Sequence, residues 1–119
     1  MSKTHDSLAK VCDAISDRKG ERVTVLDIRE VSTFTDFFVI CSGSNRKQNQ
    51  AICDAIRERL KTEKRLTPAS LEGYDSADWI LMDYIDFVIH IFSERARDFY
   101  KLEKLWSDGI ELQPRLLTA

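Results

Sequence analysis

Two aspartates, Asp83 and Asp86, are the residues of this chain whose type and spacing come nearest to a catalytic site. Two carboxylates at a strand end can bind Mg²⁺ with the help of substrate phosphates, or act as a general acid and base. Aspartate is also common beside hairpin turns, where its side chain bonds to nearby backbone. The sequence has neither a His-x-x-Glu nor a His-x-His motif, and no third clustered carboxylate completes a site. Turn formation is therefore the favoured interpretation of this pair.

A second candidate is Gly43-Ser44, which precedes a predicted helix. Backbone N–H groups and the positive end of a helix dipole can hold a phosphate at such a position. The stretch lacks the spacing of a P-loop and of a dinucleotide-binding turn, so an ordinary turn before a helix is the simpler interpretation. An enzyme that binds or transfers nucleotides with Ser44, Asp83 and Asp86 is kept as the alternative hypothesis.

The two aspartates stand where two apolar segments meet, residues 79–84 and 87–92, which predict an antiparallel hairpin. Because side chains of a strand alternate between its faces, the hairpin has two different surfaces. One face is wholly apolar and suits a core: Ile80, Met82, Phe87, Ile89 and Ile91. The other face mixes apolar, histidine and carboxylate side chains: Trp79, Leu81, Asp83, Val88, His90 and Phe92.

The register of this hairpin depends on its turn. A two-residue turn at Tyr84-Ile85 pairs Leu81 with Val88 and Trp79 with His90. The favoured two-residue turns need positive φ angles, which a β-branched residue such as isoleucine resists. A longer loop would shift these pairs.

The mixed face is interpreted as a docking surface for another protein. Tryptophan is enriched among the residues that contribute most to protein interfaces, and Trp79 lies on this face with charged neighbours. The alternative is that helices cover both faces of the hairpin and that Trp79 belongs to the core.

Helical and strand spacing predicts the elements that position this hairpin. A first helix carries Leu8, Val11, Cys12 and Ile15, with Ser7 or Asp6 as its N-cap. Residues 23–28 and 36–41 predict two strands, and residues 42–45 end the second strand and cap a second helix. The core stripe of that helix is Ile52, Ala55, Ile56 and Leu60. A short third strand ends at Glu72-Gly73.

Ser93 is the predicted cap of one last helix. Its apolar stripe is Ala96, Phe99, Leu102, Leu105 and Trp106. The predicted fold is a single α/β domain of residues 1–109, with a mixed sheet of about five strands flanked by helices. Residues 110–119 form an aperiodic tail that frays or is held by a partner.

Composition narrows the classes of function. A chain of 119 residues makes one domain. Its net charge of −2 and its pI near 5.7 argue against a domain that binds nucleic acid by general electrostatic attraction to phosphates. We expect little or no sequence-specific nucleic-acid binding, no membrane contact and a basic protein partner. Three cysteines without a Cys-x-x-Cys pair predict free thiols in a reducing compartment, so the expected location is the cytoplasm.

Several segments together resemble the ribosomal silencing factor family, also called RsfS or Iojap. They are VLDI at 25–28, TDFFVICSG at 35–43, LEG at 71–73, ADWILMDY at 77–84, VIHIF at 88–92 and RDFYKLEKLW at 97–106. The resemblance covers about residues 5–109, in order and with the expected spacing.

The resemblance implies a nucleotidyltransferase-like fold without the catalytic carboxylates, no enzymatic activity and no cofactor. It implies binding to the large ribosomal subunit through its L-fourteen protein, which sterically blocks association with the small subunit and represses translation. It also implies a homodimer when the protein is free. An active relative of this fold would carry paired carboxylates soon after Gly43-Ser44, whereas here no carboxylate occurs before Asp54.

The family's hairpin and terminal-helix motifs correspond to Trp79, Asp83, Asp86, His90, Tyr100, Leu102, Glu103 and Trp106. Combined with the mixed face, the predicted partner-binding residues are Trp79, Leu81, Asp83, Asp86, His90, Glu94, Tyr100, Leu102 and Trp106. The chain departs from the family at Ile85, where glycine is usual.

Overall fold

The computed structural model describes residues 3–117. The elements in chain order are α1 (Lys3–Asp17), β1 (Glu21–Asp27), β2 (Phe37–Gly43), α2 (Arg46–Lys64), β3 (Ser70–Glu72), β4 (Trp79–Asp83), β5 (Phe87–Ser93), α3 (Glu94–Tyr100), α4 (Leu102–Leu105), β6 (Ile110–Leu112) and a 3₁₀ turn (Pro114–Leu116). They form one α/β domain, which confirms the predicted fold class. None of the described helices is long and apolar enough to cross a membrane.

The described residues form a mixed sheet of six strands in the order β3-β4-β5-β2-β1-β6. β2 and β5 run parallel, and the other neighbours are antiparallel. All seven residues of β2 are buried, as its continuous apolar sequence predicts for a strand covered on both faces. Helices α1 and α2 pack together against one face of the sheet, where the larger core forms.

The expectation that the tail frays is wrong for its described part. Strand β6 pairs with β1, with Val25 opposite Leu112 and Asp27 opposite Ile110, and Leu117 is buried in the larger core. A three-residue strand is too short to show alternation, so the sequence carries no periodic signal for it.

The start of α1 differs from the predicted cap, whereas α2 is capped within the predicted stretch 42–45. Helix α1 spans Lys3–Asp17, so Asp6 and Ser7 lie within it and do not cap it. Ser7 is buried, and Asp6 forms an ion pair with Lys64 of α2. Ser42 and Gly43 continue β2 instead of ending it. The N-cap of α2 is Asn45, whose side chain accepts a hydrogen bond from the backbone N–H of Gln48 at 2.8 Å.

The hairpin register is shifted by two residues from the predicted one. Trp79 lies opposite Phe92, and Leu81 lies opposite His90. Because side chains alternate with a period of two, a shift by two residues leaves both faces unchanged. The apolar face lies in the larger core, as predicted.

The turn itself is centred on Ile85 and Asp86. Ile85 has a φ of 73°, and the N–H of Asp86 donates to the carbonyl of Tyr84 at 2.9 Å. This geometry is a classic-type γ-turn, which is rare and strained for a β-branched residue. The Asp83 carboxylate accepts the N–H of Ile85 at 2.8 Å, and Thr35 donates its hydroxyl to the Ile85 carbonyl at 2.9 Å. These bonds hold the turn in place.

The predicted last helix is in fact two helices. Ser93 caps the first one, as predicted, by accepting the N–H of Ala96 at 3.1 Å. Lys101 then adopts a left-handed conformation, with a φ of 48°, and separates α3 from α4. As a result Phe99 and Leu105 are exposed, which corrects their predicted place in the core stripe.

Candidate docking surface

The mixed face of the hairpin belongs to a row of aromatic rings that crosses the sheet. The row, called here the aromatic row, consists of Phe34, Trp106, Phe38, His90, Trp79, Tyr100 and Phe99. Each ring lies 4.7–5.9 Å, between centroids, from the next one in the row. Such spacing is typical of favourable aromatic contacts. The row continues over three neighbouring strands, since Trp79, His90 and Phe38 stand on β4, β5 and β2.

The middle of the aromatic row is buried and its ends are exposed. Phe38 and His90 are 3% and 4% exposed, whereas Phe34 and Phe99 are 62% and 78% exposed. Leu105, on α4, is another exposed apolar side chain, at 75%. Phe99 and Tyr100 are adjacent exposed rings at one end of the row, and exposed apolar side chains that lie together are candidates for contact with a partner.

Trp79 is held by its contacts with neighbouring side chains. Its indole N–H donates to Nδ1 of His90 at 3.0 Å, so the neutral imidazole carries its proton on Nε2. The Phe92 and Tyr100 rings lie 4.9 and 4.8 Å from the indole, on the sheet and on α3. The indole is half-buried and presents its remaining surface in a fixed orientation.

His90 is buried among aromatic rings. Burial lowers the pKa of its imidazole to about 3, so the side chain is neutral at physiological pH. Nε2 of His90 has no hydrogen-bond partner among the described residues. The structure therefore places His90 behind Trp79 as its hydrogen-bond acceptor, and not on the surface that the sequence predicts.

A buried arginine fixes α3 and α4 on the sheet. Arg97 is 3% exposed and donates to the Ser42 hydroxyl of β2 at 3.0 Å. Its Nε also donates to both carboxylate oxygens of Glu103 at 3.1 Å. Because Arg97 belongs to α3 and Glu103 to α4, this ion pair spans the break at Lys101. The positions of Phe99 and Leu105 depend on it.

The predicted apolar contact residues have different exposures. A second, smaller core lies on the other face of the sheet and includes Phe38, Val88 and Phe92. Leu81 and Trp106 are half-buried and pack on this second core, and Tyr100 is 47% exposed. Leu102 is 8% exposed, so it supports the surface from below. The sequence prediction missed Phe34, which stands in a polar loop without a periodic pattern. It also placed Phe99 and Leu105 in the core.

The predicted acidic residues lie at the edges. Asp86 and Glu94 are exposed, and neither forms an ion pair within residues 3–117. Asp83 is half-buried and uses one carboxylate oxygen in the turn at Ile85. The turn interpretation of Asp83 is thus confirmed.

The parallel register separates the residues of the alternative enzyme site. Asp86 precedes β5 at the end where Phe37 pairs with Phe87, and Ser44 follows β2 at the end where Gly43 pairs with Ser93. At about 3.3 Å per residue, the two ends are about 20 Å apart. Among the described residues there is also no group of three or more histidine, cysteine or acidic side chains able to hold a metal ion. Ser44 and the two aspartates therefore do not form one site.

All three cysteines are free thiols, as predicted. Cys41 and Cys53 are buried in the larger core, and Cys12 is half-buried beside it. Burial raises the pKa of each thiol to about 12, so these groups are protonated and act as small apolar side chains.

Comparison with known proteins supports one family over nearly the whole chain. The family model described as "Ribosomal silencing factor during starvation" matches residues 1–118. The ribosomal silencing factor RsfS of Halalkalibacterium halodurans is 40% identical, over 85% of this chain and 87% of that protein. The RsfS of Bacillus subtilis is 39% identical, over 85% and 82%. A crystal structure of a Chromobacterium violaceum protein superposes with a TM-score of 0.85 at 25% identity, covering 89% of this chain and 88% of that one. This chain belongs to the ribosomal silencing factor family.

Proposed function

We propose that this protein binds the large ribosomal subunit through its L-fourteen protein and sterically blocks association with the small subunit, which represses translation. The observation that carries the proposal is the aromatic row with its exposed ends. Family membership supports a ribosomal partner, and the apolar surface supports docking on a protein. The proposal requires no catalysis and no cofactor, and it implies action in the cytoplasm, where ribosomes join.

The role of each side chain in binding follows from its exposure. Phe34, Phe99, Tyr100 and Leu105 are exposed and bury their rings or methyl groups in the partner. Trp79, Leu81 and Trp106 form the half-buried floor of the surface, and His90 and Leu102 support it from within. The second core beneath is part of the folded protein before the partner binds, so little ordering entropy opposes binding.

Acidic groups at the margin direct the approach. Asp86 and Glu94 are exposed carboxylates without a partner in the described chain, and Asp83 has one oxygen left beside the turn. Rim charges mainly increase association rates with an oppositely charged surface. A basic patch on the L-fourteen protein is the complement that these carboxylates require.

The free protein forms a homodimer through the same apolar surface. An exposed apolar surface is covered more favourably by a second copy than by water. Dimer and ribosome complex then exclude each other. Gel filtration should show that the Phe99→Ala/Leu105→Ala variant is monomeric at concentrations where the native protein is dimeric.

Co-sedimentation in sucrose gradients with separated large and small subunits, and with both mixed, tests the proposal. We expect the native protein to migrate with the large subunit alone and to reduce the amount of joined ribosomes. The Phe99→Ala/Leu105→Ala variant should weaken binding by about 2 kcal/mol, or roughly thirtyfold, which is typical of central interface residues. Its fold should be intact, because both side chains are exposed.

A matched control is Ile110→Ala, which truncates an exposed apolar residue of β6, outside the aromatic row. Equal losses in the control and in the double variant would contradict the assignment of the surface. Migration of the native protein with neither subunit would contradict the function itself.

A further inference from the structure

Four exposed cations surround the start of α2. Arg18 and Lys19 lie in the turn after α1, and Arg46 and Lys47 form the first turn of α2. None of the four forms an ion pair within residues 3–117. We call these four residues the basic patch. Its lack of internal partners contrasts with the net negative charge of the chain.

Gln48 joins the two halves of the basic patch. Its side-chain amide donates to the backbone carbonyls of Arg18 and Lys19 at 3.1 and 2.9 Å. Its carbonyl oxygen accepts the N–H and the hydroxyl of Ser44 at 2.6 and 2.7 Å. The cations of the turn and those of the helix are thereby held on one part of the surface.

The cations of the basic patch repel each other, and Arg46 and Lys47 also interact unfavourably with the positive end of the α2 helix dipole. The first turn of α2 contains no acidic residue, although carboxylates are the side chains that stabilise the positive end of a helix dipole. The chain has no acidic residue between Asp36 and Asp54. Of the nearest acids, Asp17 already pairs with Arg59, and Glu21 begins β1. Two cations at this end are unfavourable for the free protein, and a bound polyanion would remove that cost.

We propose that the basic patch binds the phosphate backbone of RNA on the large ribosomal subunit, beside the protein contact of the aromatic row. This inference rests on the proposed function, because the subunit supplies both partners. An extended polyanion suits four exposed cations on two segments better than one small anion does, since phosphates repeat along the strand. Such contacts position the protein without reading a sequence.

The basic patch lies next to the helix that bears part of the aromatic row. Arg22 follows the turn at Lys19 and forms an ion pair with Asp98 of α3 at 3.0 Å. Phe99 and Tyr100 follow Asp98 directly. A ribosomal surface that presents protein to the aromatic row and RNA along its margin would therefore reach both sites in one orientation.

Arg46→Gln/Lys47→Gln tests the inference against the matched control Arg57→Gln/Lys61→Gln. The control removes two exposed cations from the same helix, beside Asp54 and Glu58 and without an ion pair of their own. Affinity for large subunits is measured at several salt concentrations. For two lost phosphate contacts, the slope of log affinity against log salt should fall by about 1.5, and affinity at about 0.1 M salt should fall at least tenfold. The control should retain the native slope.

Binding to a short RNA duplex at low salt is measured alongside. The native protein should bind the duplex weakly, and Arg46→Gln/Lys47→Gln should lose that binding. An unchanged salt slope in this variant, or an equal change in the control, would overturn the inference. A third outcome is that the native protein does not bind the duplex but Arg46→Gln/Lys47→Gln still binds large subunits more weakly. The basic patch would then contact an acidic protein, and the inference of RNA binding would be overturned.

Failure of the proposed function has a different signature. If the native protein does not migrate with large subunits, the proposed function is contradicted. Binding to the RNA duplex is then the measurement that tests whether the basic patch binds RNA. Duplex binding that depends on Arg46 and Lys47 would then support RNA binding, and no duplex binding would overturn it. Thermal melting of both variants checks their folding, and neither should melt at a lower temperature than the native protein.

Discussion

The buried imidazole of His90 should make the stability of this protein fall steeply in mild acid. The pKa of His90 is about 3 in the folded protein and 6.5 in an unfolded chain, because burial disfavours the charged form. Between these values the unfolded state binds a proton that the folded state does not bind. The contribution of the neutral imidazole is therefore complete above pH 6.5 and is lost as the pH falls toward 3.

The size of this loss follows from the two pKa values. Between about pH 7 and about pH 4.5, protonation of the unfolded chain at His90 lowers the free energy of unfolding by about 2.5 kcal/mol. His90→Phe removes the titrating group and keeps a ring among Phe38, Trp79 and Phe92. At pH 7 the variant should be less stable by about 1–3 kcal/mol, because the Trp79 indole N–H loses its acceptor.

Chemical denaturation at both pH values measures the difference. The free energy of unfolding of the native protein should drop by about 2.5 kcal/mol more than that of His90→Phe. Carboxylates whose pKa is lowered by ion pairs, such as Asp6 and Asp27, titrate in both proteins and cancel in the comparison. Equal losses in the two proteins would refute the reasoning, since they would mean that His90 is accessible to protons in the folded state.

Two further predictions concern the elements that carry the docking surface. Arg97→Met should lower the free energy of unfolding by about 3 kcal/mol, because Glu103 and Ser42 lose a buried partner, whereas the exposed Arg95→Met should change it little. Equal denaturation midpoints for these two variants would contradict the role of Arg97. Ile85→Gly should raise the free energy of unfolding by about 1 kcal/mol, since glycine adopts a φ of 73° without strain, and Ile85→Ala should give no comparable gain. A melting temperature that is equal in the glycine and alanine variants would show that the turn is not strained.

Periodicity in the sequence was sufficient to predict the elements that face a core. The alternation of residues 79–84 and 87–92 sorted the side chains between the two faces of the hairpin correctly, but Val88, His90 and Phe92 of the mixed face are buried and do not belong to an exposed surface. The register was wrong by two residues. This error is harmless to the faces because it equals the period of a strand. The resemblance to the ribosomal silencing factors was confirmed by the family match over residues 1–118.

Local backbone conformation is what the sequence did not reveal. Among residues 3–117, six residues other than glycine have positive φ angles, which side chains usually resist: Lys19, Arg22, Arg65, Ala77, Ile85 and Lys101. None of them carries the glycine or asparagine signal from which such positions are normally inferred. The helix break at Lys101 was missed for this reason, and the hairpin turn was placed at Tyr84-Ile85, one residue too early.

The helix break at Lys101 accounts for the exposure of Phe99 at the proposed docking surface. In one continuous helix, Phe99, Leu102 and Trp106 would share a face, at spacings of three and seven residues, and Phe99 would be directed into the core. The left-handed Lys101 rotates α3 relative to α4, so Leu102 is 8% exposed and Phe99 is 78% exposed. The Arg97–Glu103 ion pair closes over the break and stabilises it. The buried Arg97 thus stabilises an arrangement in which Phe99 is exposed beside Tyr100 and Trp79. Exposing Phe99 does not stabilise an isolated domain. Burial of its ring in a partner would be favourable, and this explains why the arrangement is useful to a protein that binds a partner.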